Sequence, residues 1–373
     1  RVLFRSIQVV LQFLQEEGYT ETFDSLVKES NKQYNSELLQ AHSLRQLLGE
    51  LDISLSNESL RRLFSGAKIT SATKASEKKT FSSSPISMIS IDNSYFICSF
   101  NDQTIAKIDI GGNVISQIQP KLSTVLCFER KSDNLVYFGT MNGTVGILDL
   151  ITFEVVKTIS LQKGMIIGMA MCGKNTLFAG TRNGFIALID NNKFELINEF
   201  KYDGAVVGIC CVSNGVIYAI QNDPMFHFRK EDDLNTDILI PTNPNVFATC
   251  GMEIRDMVNC PTDKSIFVAL TGLCKAYVYR LPNNNVQNIE ILKVLNNFSS
   301  DGLTQPKLLW ESTPTLMATS DDQTVVGVNI ENDTIAFKLN EWNKATRCLT
   351  VLNDFLFVGA FDKSISTFKL NKE

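Results

Sequence analysis

The residues that could carry acid–base or metal chemistry are few in this sequence. Only two histidines occur, His42 in a helix-like region and His227 in a strand-like run. We interpret each as a structural or surface residue, because neither belongs to a recognisable catalytic or ligand pattern. A phosphate-binding glycine loop and a Gly-x-Ser-x-Gly elbow are also absent from the sequence. The sequence therefore predicts a non-enzymatic protein with no catalytic residue, no metal and no cofactor.

The cysteines give no sign of a zinc or redox site. There are nine of them, and no Cys-x-x-Cys spacing occurs. Most lie in apolar strand-like runs, such as those around Cys98 and the adjacent pair Cys210 and Cys211. Reduced thiols in such runs pack as small hydrophobic side chains. We predict that they are buried and unreactive.

Composition and charge exclude several partner classes. The 373 residues are 44% hydrophobic and 20% charged, which is typical of a soluble globular chain. A net charge of −5 provides no field that would attract nucleic acid or an anionic membrane. No run approaches the roughly 20 apolar residues of a membrane span. We expect an intracellular protein, in the cytoplasm or nucleus, that binds neither nucleic acid nor membrane.

From residue 86 onwards one pattern recurs: an apolar run, a polar turn, a second apolar run, a tight turn and an alternating run. The tight-turn residues are Asp102, Asn142, Asn183, Asp223, Gly272, Asp322 and Asp362, with separations of 40, 41, 40, 49, 50 and 40 residues. Asn, Asp and Gly suit such turns because they tolerate left-handed backbone. Each repeat has room for about four short strands, the blade of a propeller. The spacing predicts a mainly β fold, with a seven-bladed β-propeller over residues 79–373.

The repeats resemble those of the WD-repeat family. "FGTMNGTVGILDL" and "ATSDDQTVVGVNI" are similar to that family's second strand, turn and third strand. The family's Gly-His opening and Trp-Asp ending are missing, so its His/Asp/Trp hydrogen-bond network is not expected, and apolar packing should join the blades. The inner-strand runs, such as "IIGMAM" and "VVGICC", are apolar and form no ring of His, Asp or Glu. That pattern disfavours an enzyme or a small-molecule binder.

The last repeat contains only three strand-like runs before the chain stops. A strand from elsewhere must complete this blade and cover its open edge. Residues 79–83, just before the first full repeat, are suitably placed. We predict that they form the outer strand of the last blade and close the ring.

The N-terminal segment reads as two short helices broken at Gly18. Residues 7–30 resemble the LisH motif, and the matching residues are Phe13, Leu14, Gly18, Tyr19, Leu26 and Glu29. The resemblance implies homodimerisation, because so small a hairpin cannot bury enough apolar surface alone. We expect the dimer contact to include Val10, Leu14, Tyr19 and Leu26. The alternative is a hairpin that packs on its own propeller. Residues 1–65 are assigned to this α-helical module and residues 66–78 to a linker.

The combination predicts an interaction scaffold, dimerised through its helices and binding proteins or peptides on one propeller face. Loops on that face carry the residue types of protein-binding hot spots. The predicted partner-binding residues are Phe100, Met141, Arg182, Tyr202 and Trp342. The alternatives are a regulatory or substrate-recruiting subunit of a ubiquitin ligase and, less favoured, a propeller enzyme or small-molecule binder.

Overall fold

The computed structural model describes residues 11, 14, 19–30, 67–243, 252–272, 275–282, 286–298, 306–311, 313–320 and 323–373. The chain divides into two compact units, Arg1–Arg62 and Leu63–Glu373.

In the first unit the structure describes one helix, α1 (Thr20–Ser30). Glu21 in its first turn and Lys28 in its last complement the helix dipole. The amide of Tyr19 donates to the carbonyl of Leu14 at 2.9 Å. The helix begins two residues after the predicted break at Gly18. The first of the two predicted helices lies mostly outside the described residues, as do Val10, Phe13 and Gly18.

The second unit is built from short antiparallel strands. In chain order they are β1 (Ile69–Lys74), β2 (Lys79–Thr80), β3 (Pro85–Ser90), β4 (Tyr95–Phe100), β5 (Ile105–Asp109), β6 (Val114–Ile118), β7 (Val125–Arg130), β8 (Leu135–Thr140), β9 (Thr144–Asp149), β10 (Glu154–Ser160), β11 (Ile166–Cys172), β12 (Thr176–Thr181), β13 (Phe185–Asp190), β14 (Leu196–Lys201), β15 (Val206–Val212), β16 (Gly215–Ile220), β17 (Met225–Lys230), β18 (Ile238–Pro241), β19 (Ile254–Asn259), β20 (Ile266–Thr271), β21 (Ala276–Arg280), β22 (Glu290–Leu295), β23 (Leu308–Trp310), β24 (Thr315–Thr319), β25 (Val325–Asn329), β26 (Thr334–Leu339), β27 (Thr346–Leu352), β28 (Phe355–Ala360) and β29 (Ser364–Lys372).

These strands form seven sheets, which are the blades of a β-propeller. Blades 1 to 6 each take four consecutive strands, beginning at β3, β7, β11, β15, β19 and β23. The first strand of each blade is the inner one, and β27 of blade 7 contacts β3 of blade 1, which completes the ring. The predicted seven-bladed architecture is therefore confirmed.

Blade 7 is completed by a strand from before the first repeat, as expected, but the strand is not at residues 79–83. Strand β1 pairs with β29 from Ile69 opposite Lys372 to Lys74 opposite Phe368. Of the predicted segment, only Lys79 and Thr80 pair with β29. Residues 66–78, assigned to a linker, thus contain the closing strand. The sequence of this segment is typical of a linker because an outer strand has one solvated side. The one large buried side chain of β1 is Ile69, which is only 1% exposed.

The blades are apolar where they face each other. The second strand of most blades is buried along nearly its whole length, as in β12 and β20. Close packing also explains a small residue in β9: a Cβ on Gly146 would lie 2.1 Å from the Phe138 ring on the adjacent strand. The Phe138 ring therefore needs glycine opposite it in the sheet.

The sequence predicts that apolar packing joins the blades. In the structure, hydrogen bonds between neighbouring blades contribute as well. Lysine side chains reach from one blade to turn carbonyls of the next. The Nζ atom of Lys107 donates to the carbonyl of Leu150 at 3.4 Å, and that of Lys293 donates to Glu331 at 3.0 Å. Each long apolar stem packs along the blade while the ammonium group satisfies a turn carbonyl.

Candidate partner-binding surface

One face of the propeller, called here the upper face, is formed by the turns between the second and third strands and by the connections that enter each inner strand. In six blades, the residue after the second strand donates its amide to the carbonyl just before the inner strand. These six residues are Asn101, Met141, Arg182, Gln221, Gly272 and Phe361. The bond lengths for Met141, Arg182 and Phe361 are 2.9, 2.9 and 3.0 Å. The backbone of this turn residue is therefore fixed by the same hydrogen bond in six blades.

Side chains at this turn position are presented to solvent on a fixed backbone. Met141 is 50% exposed, Phe361 is 40% exposed, and Arg182 is exposed. Phe361 is not among the partner-binding residues predicted from the sequence, because its loop alone does not distinguish it. The signal that identifies it is register, because Phe361 occupies the same turn position in its repeat as Met141 and Arg182 do in theirs.

Two of the predicted partner-binding residues are buried, so the prediction that they are open to a partner is wrong. Trp342 is 3% exposed; its ring centroid lies 5.8 Å from that of Phe368, and its Nε1 donates to Ser366 Oγ at 3.1 Å. Phe100 is 4% exposed and packs 5.1 Å from the ring of Phe81. Both contact the segment before the first repeat: Trp342 lies in the same core cluster as Ile69, and Phe100 packs on Phe81.

Tyr202 lies on the upper face with its ring half-buried, but its hydroxyl is engaged inside the protein. The hydroxyl lies 2.6 Å from that of Tyr218 and donates to Asp237 Oδ2 at 2.8 Å. It also accepts a hydrogen bond from Arg229 Nη2 at 2.9 Å. The hydroxyl of Tyr202 is therefore committed to contacts within the protein.

His227 stands at the centre of the same polar network in blade 4. It is 4% exposed, with Nδ1 2.9 Å from Asp237 Oδ2 and Nε2 3.1 Å from Asp223 Oδ2. Burial lowers the pKa of His227, but the hydrogen bonds and charges of Asp237 and Asp223 outweigh it, so that the pKa is raised. The two carboxylates thus favour the protonated form of His227, and the contact between His227 and Asp223 links strand β17 to the turn at Asp223. The sequence reading of His227 as structural fits this geometry.

A crevice of about 580 Å³ opens on the upper face above this network. Its walls are the connection Lys201–Gly204 and the turn from Ile220 to Pro224. The turn of blade 3 packs against the same connection, since a Cβ on Gly184 would lie 2.4 Å from the carbonyl oxygens of Gly204 and Tyr202. Arg182 and Tyr202 therefore belong to one continuous surface.

The central channel holds carboxylates that the apolar pattern did not suggest. Asp256 is 7% exposed, accepts the amide of Leu308 at 2.8 Å and lies 3.5 Å from Lys307 Nζ, beside a cavity of about 190 Å³. Glu129 accepts the amide of Met171 at 3.2 Å, and its burial raises its pKa to about 7. Each carboxylate accepts a backbone hydrogen bond from the inner strand of the next blade and so links two blades.

The described cysteines are free thiols, and Cys98, Cys172, Cys210, Cys260 and Cys348 are buried. Burial raises the pKa of Cys127 and of Cys348 to about 12, so both stay protonated at neutral pH. Among the residues that the structure describes, no group of three His, Cys, Asp or Glu could hold a metal ion.

No known protein family matches this chain, and no curated protein matches it either. No helix in the described part of the chain is long and apolar enough to cross a membrane.

Proposed function

We propose that this chain is a non-enzymatic scaffold that binds a partner protein or peptide on the upper face of its propeller. The observation that carries the proposal is the turn position shared by Met141, Arg182 and Phe361. Each of these side chains is exposed, and each stands on a backbone fixed by a hydrogen bond to the carbonyl just before its own inner strand. Met, Arg and aromatic residues are enriched at protein interfaces, and rigid presentation reduces the entropy lost on binding.

The upper face can be tested by exchanging its apolar residues for charge. Met141→Asp combined with Phe361→Asp should eliminate capture of at least one protein from a cell extract without lowering the melting temperature, because both side chains are exposed. The matched control is Ile110→Asp combined with Ile151→Asp. These residues are 38% and 74% exposed on the turns of the opposite face. An identical set of captured proteins from both variants would reject the upper face as the binding site.

We further propose that the N-terminal helical segment pairs two copies of the chain, as its resemblance to the LisH motif implies. Tyr19 is 55% exposed beside α1, while Leu14 and Leu26 are half-buried. A second copy would cover this surface, and two linked propellers would bind a bivalent partner with higher avidity.

Sedimentation of the full chain at micromolar concentration tests the pairing. We expect a dimer for the wild type, monomers for Tyr19→Glu, and a dimer for Thr22→Glu, a matched change at another exposed position in this segment. A monomeric wild type would exclude self-association at these concentrations.

A further inference from the structure

The upper face of blades 2 and 3 carries a cluster of basic side chains, called here the basic strip: Lys163, Arg182 and Lys201. The ring of Phe185 is flanked by two of them, with its centroid 4.8 Å from Lys163 Nζ and 5.1 Å from Lys201 Nζ. The Nζ atom of Lys201 also donates to the carbonyl of Asn183 at 2.7 Å. These contacts hold the ammonium groups in place, so less rotamer entropy is lost when an anion binds.

The positive charge of the strip is only partly neutralised. Lys163 forms an ion pair with Glu199 at 2.8 Å. Within the described ranges, no carboxylate lies within ion-pair distance of Arg182 or Lys201. In this part of the chain, Arg182 and Lys201 are therefore the two charges of the strip without an ion-pair partner, and Asp203 and Asp223 are the acidic residues of the crevice that Lys201 lines.

An apolar neighbour lies beside the basic strip. The turn that carries Met141 touches the connection that carries Lys163, because a Cβ on Gly143 would lie 2.8 Å from the carbonyl oxygen of Gly164. A Cβ on Gly164 would in turn lie 2.6 Å from the Asn183 side chain, in the turn that carries Arg182. Met141 and the basic strip are therefore parts of one surface that runs from blade 2 to blade 3.

We propose that this surface binds an acidic peptide segment of a partner protein. The inference rests on the proposed function and names the chemistry of the partner. Carboxylates of the segment pair with Arg182 and Lys201, and an apolar residue next to them packs on Met141. Arg182 can take a carboxylate through two parallel hydrogen bonds, whereas Lys201 acts as a point charge. The attraction between exposed charges speeds encounter and weakens as salt rises.

Fluorescence anisotropy of the full-length chain tests the proposal. The probes are fluorescein-labelled peptides in which Asp and Glu are interspersed with Leu, and matched peptides with Asn and Gln in their place. We expect the acidic probe to bind at least about tenfold more tightly than its amide counterpart, and to weaken by about tenfold when salt rises from about 50 to about 300 mM. Equal binding of the two probes, or no binding of the acidic probe, would overturn the proposal.

Charge reversal locates the site. Arg182→Glu, and Arg182→Glu combined with Lys201→Glu, should weaken the acidic probe progressively, the double variant by at least about tenfold. The control, Lys193→Glu with Lys369→Glu, makes the same change in net charge at exposed positions away from the strip. An equal loss in the control would overturn the assignment. Arg182→Glu alone keeps the test valid if reversal at Lys201 impairs folding.

Two further outcomes separate this inference from the proposed function. Oligodeoxythymidine that displaces the acidic probe with equal affinity would show general polyanion binding and reject an acidic peptide as the specific partner. Partner capture that depends on Met141 and Phe361 but not on Arg182 would reject the acidic class while leaving the upper face as the binding site. If every upper-face variant still binds the acidic probe and still captures the partner, both the acidic-peptide inference and the proposed upper-face function are rejected.

Discussion

Ile69 should anchor the strand that closes the propeller. Its side chain is 1% exposed and belongs to the core cluster that includes Trp342 and Leu370, whereas the rest of β1 is at least partly solvated. Replacement of a buried Ile by Ala costs about 2–5 kcal/mol, through lost burial and the cavity left behind. Strand β1 lies at the edge of blade 7 and can move towards the gap, so we expect Ile69→Ala to cost about 2 kcal/mol, at the lower end.

That free energy converts into a measurable shift in melting temperature. The unfolding entropy is about 2.1 cal/mol/K per residue, and the propeller unit Leu63–Glu373 has about 310 residues, which gives about 0.65 kcal/mol/K. A loss of about 2 kcal/mol therefore lowers the melting temperature by about 3 °C. Scanning calorimetry resolves a shift of this size.

The matched control is Ile335→Ala, the same substitution in the outer strand of blade 6. Ile335 is 50% exposed, so its replacement should change the unfolding free energy by no more than about 0.5 kcal/mol. Equal effects of the two substitutions would show that β1 does not support the ring. A lower melting temperature for Ile69→Ala alone is the result that the structure requires.

Two other substitutions test the buried groups. Trp342→Ala should destabilise the propeller by about 3–5 kcal/mol in urea unfolding, whereas Met141→Ala should change it by less than about 0.5 kcal/mol; similar midpoints would refute the buried placement of Trp342. Because burial raises the pKa of Glu129 from 4.5 to about 7, protonation favours the folded state, and this stabilisation is lost as pH rises through about 7. Glu129→Gln keeps an acceptor for the Met171 amide and should be more stable than the wild type at pH 8 by up to about 3 kcal/mol, but equal to it near pH 4. If the two proteins differ in stability by the same amount at both pH values, the pKa of Glu129 is not raised in the folded state.

The sequence predicts the propeller because its strongest signal is geometric. A tight turn about every 40 residues depends on Asn, Asp and Gly at the turn and not on the residues that face the core. Strand β1 falls outside this signal, since its partner β29 lies some 300 residues away and its residues other than Ile69 are small or polar. Long-range pairing of a solvated outer strand leaves almost no local pattern.

The candidate surface was only partly predictable. Met141 and Arg182 were identified from their loops, whereas Trp342 was misassigned because its neighbours in sequence are polar while its neighbours in space are Phe368 and the β1 cluster. The blade 4 network was missed for a similar reason. Tyr218 in β16 lies opposite His227 in the adjacent strand β17, and Asp237 in the connection before β18 contacts His227. Single-sequence patterns do not show which side chains meet across strands.

Site-specific photo-crosslinking in cells tests whether a partner protein binds the upper face of the propeller. A photoreactive amino acid at position 141, where the Met141 side chain is 50% exposed, probes the upper face, and one at position 151, where Ile151 is 74% exposed, probes the opposite face. We expect a covalent adduct with another protein at position 141 and none with that protein at position 151. Adducts with the same protein at both positions, or at position 151 alone, would contradict binding on the upper face.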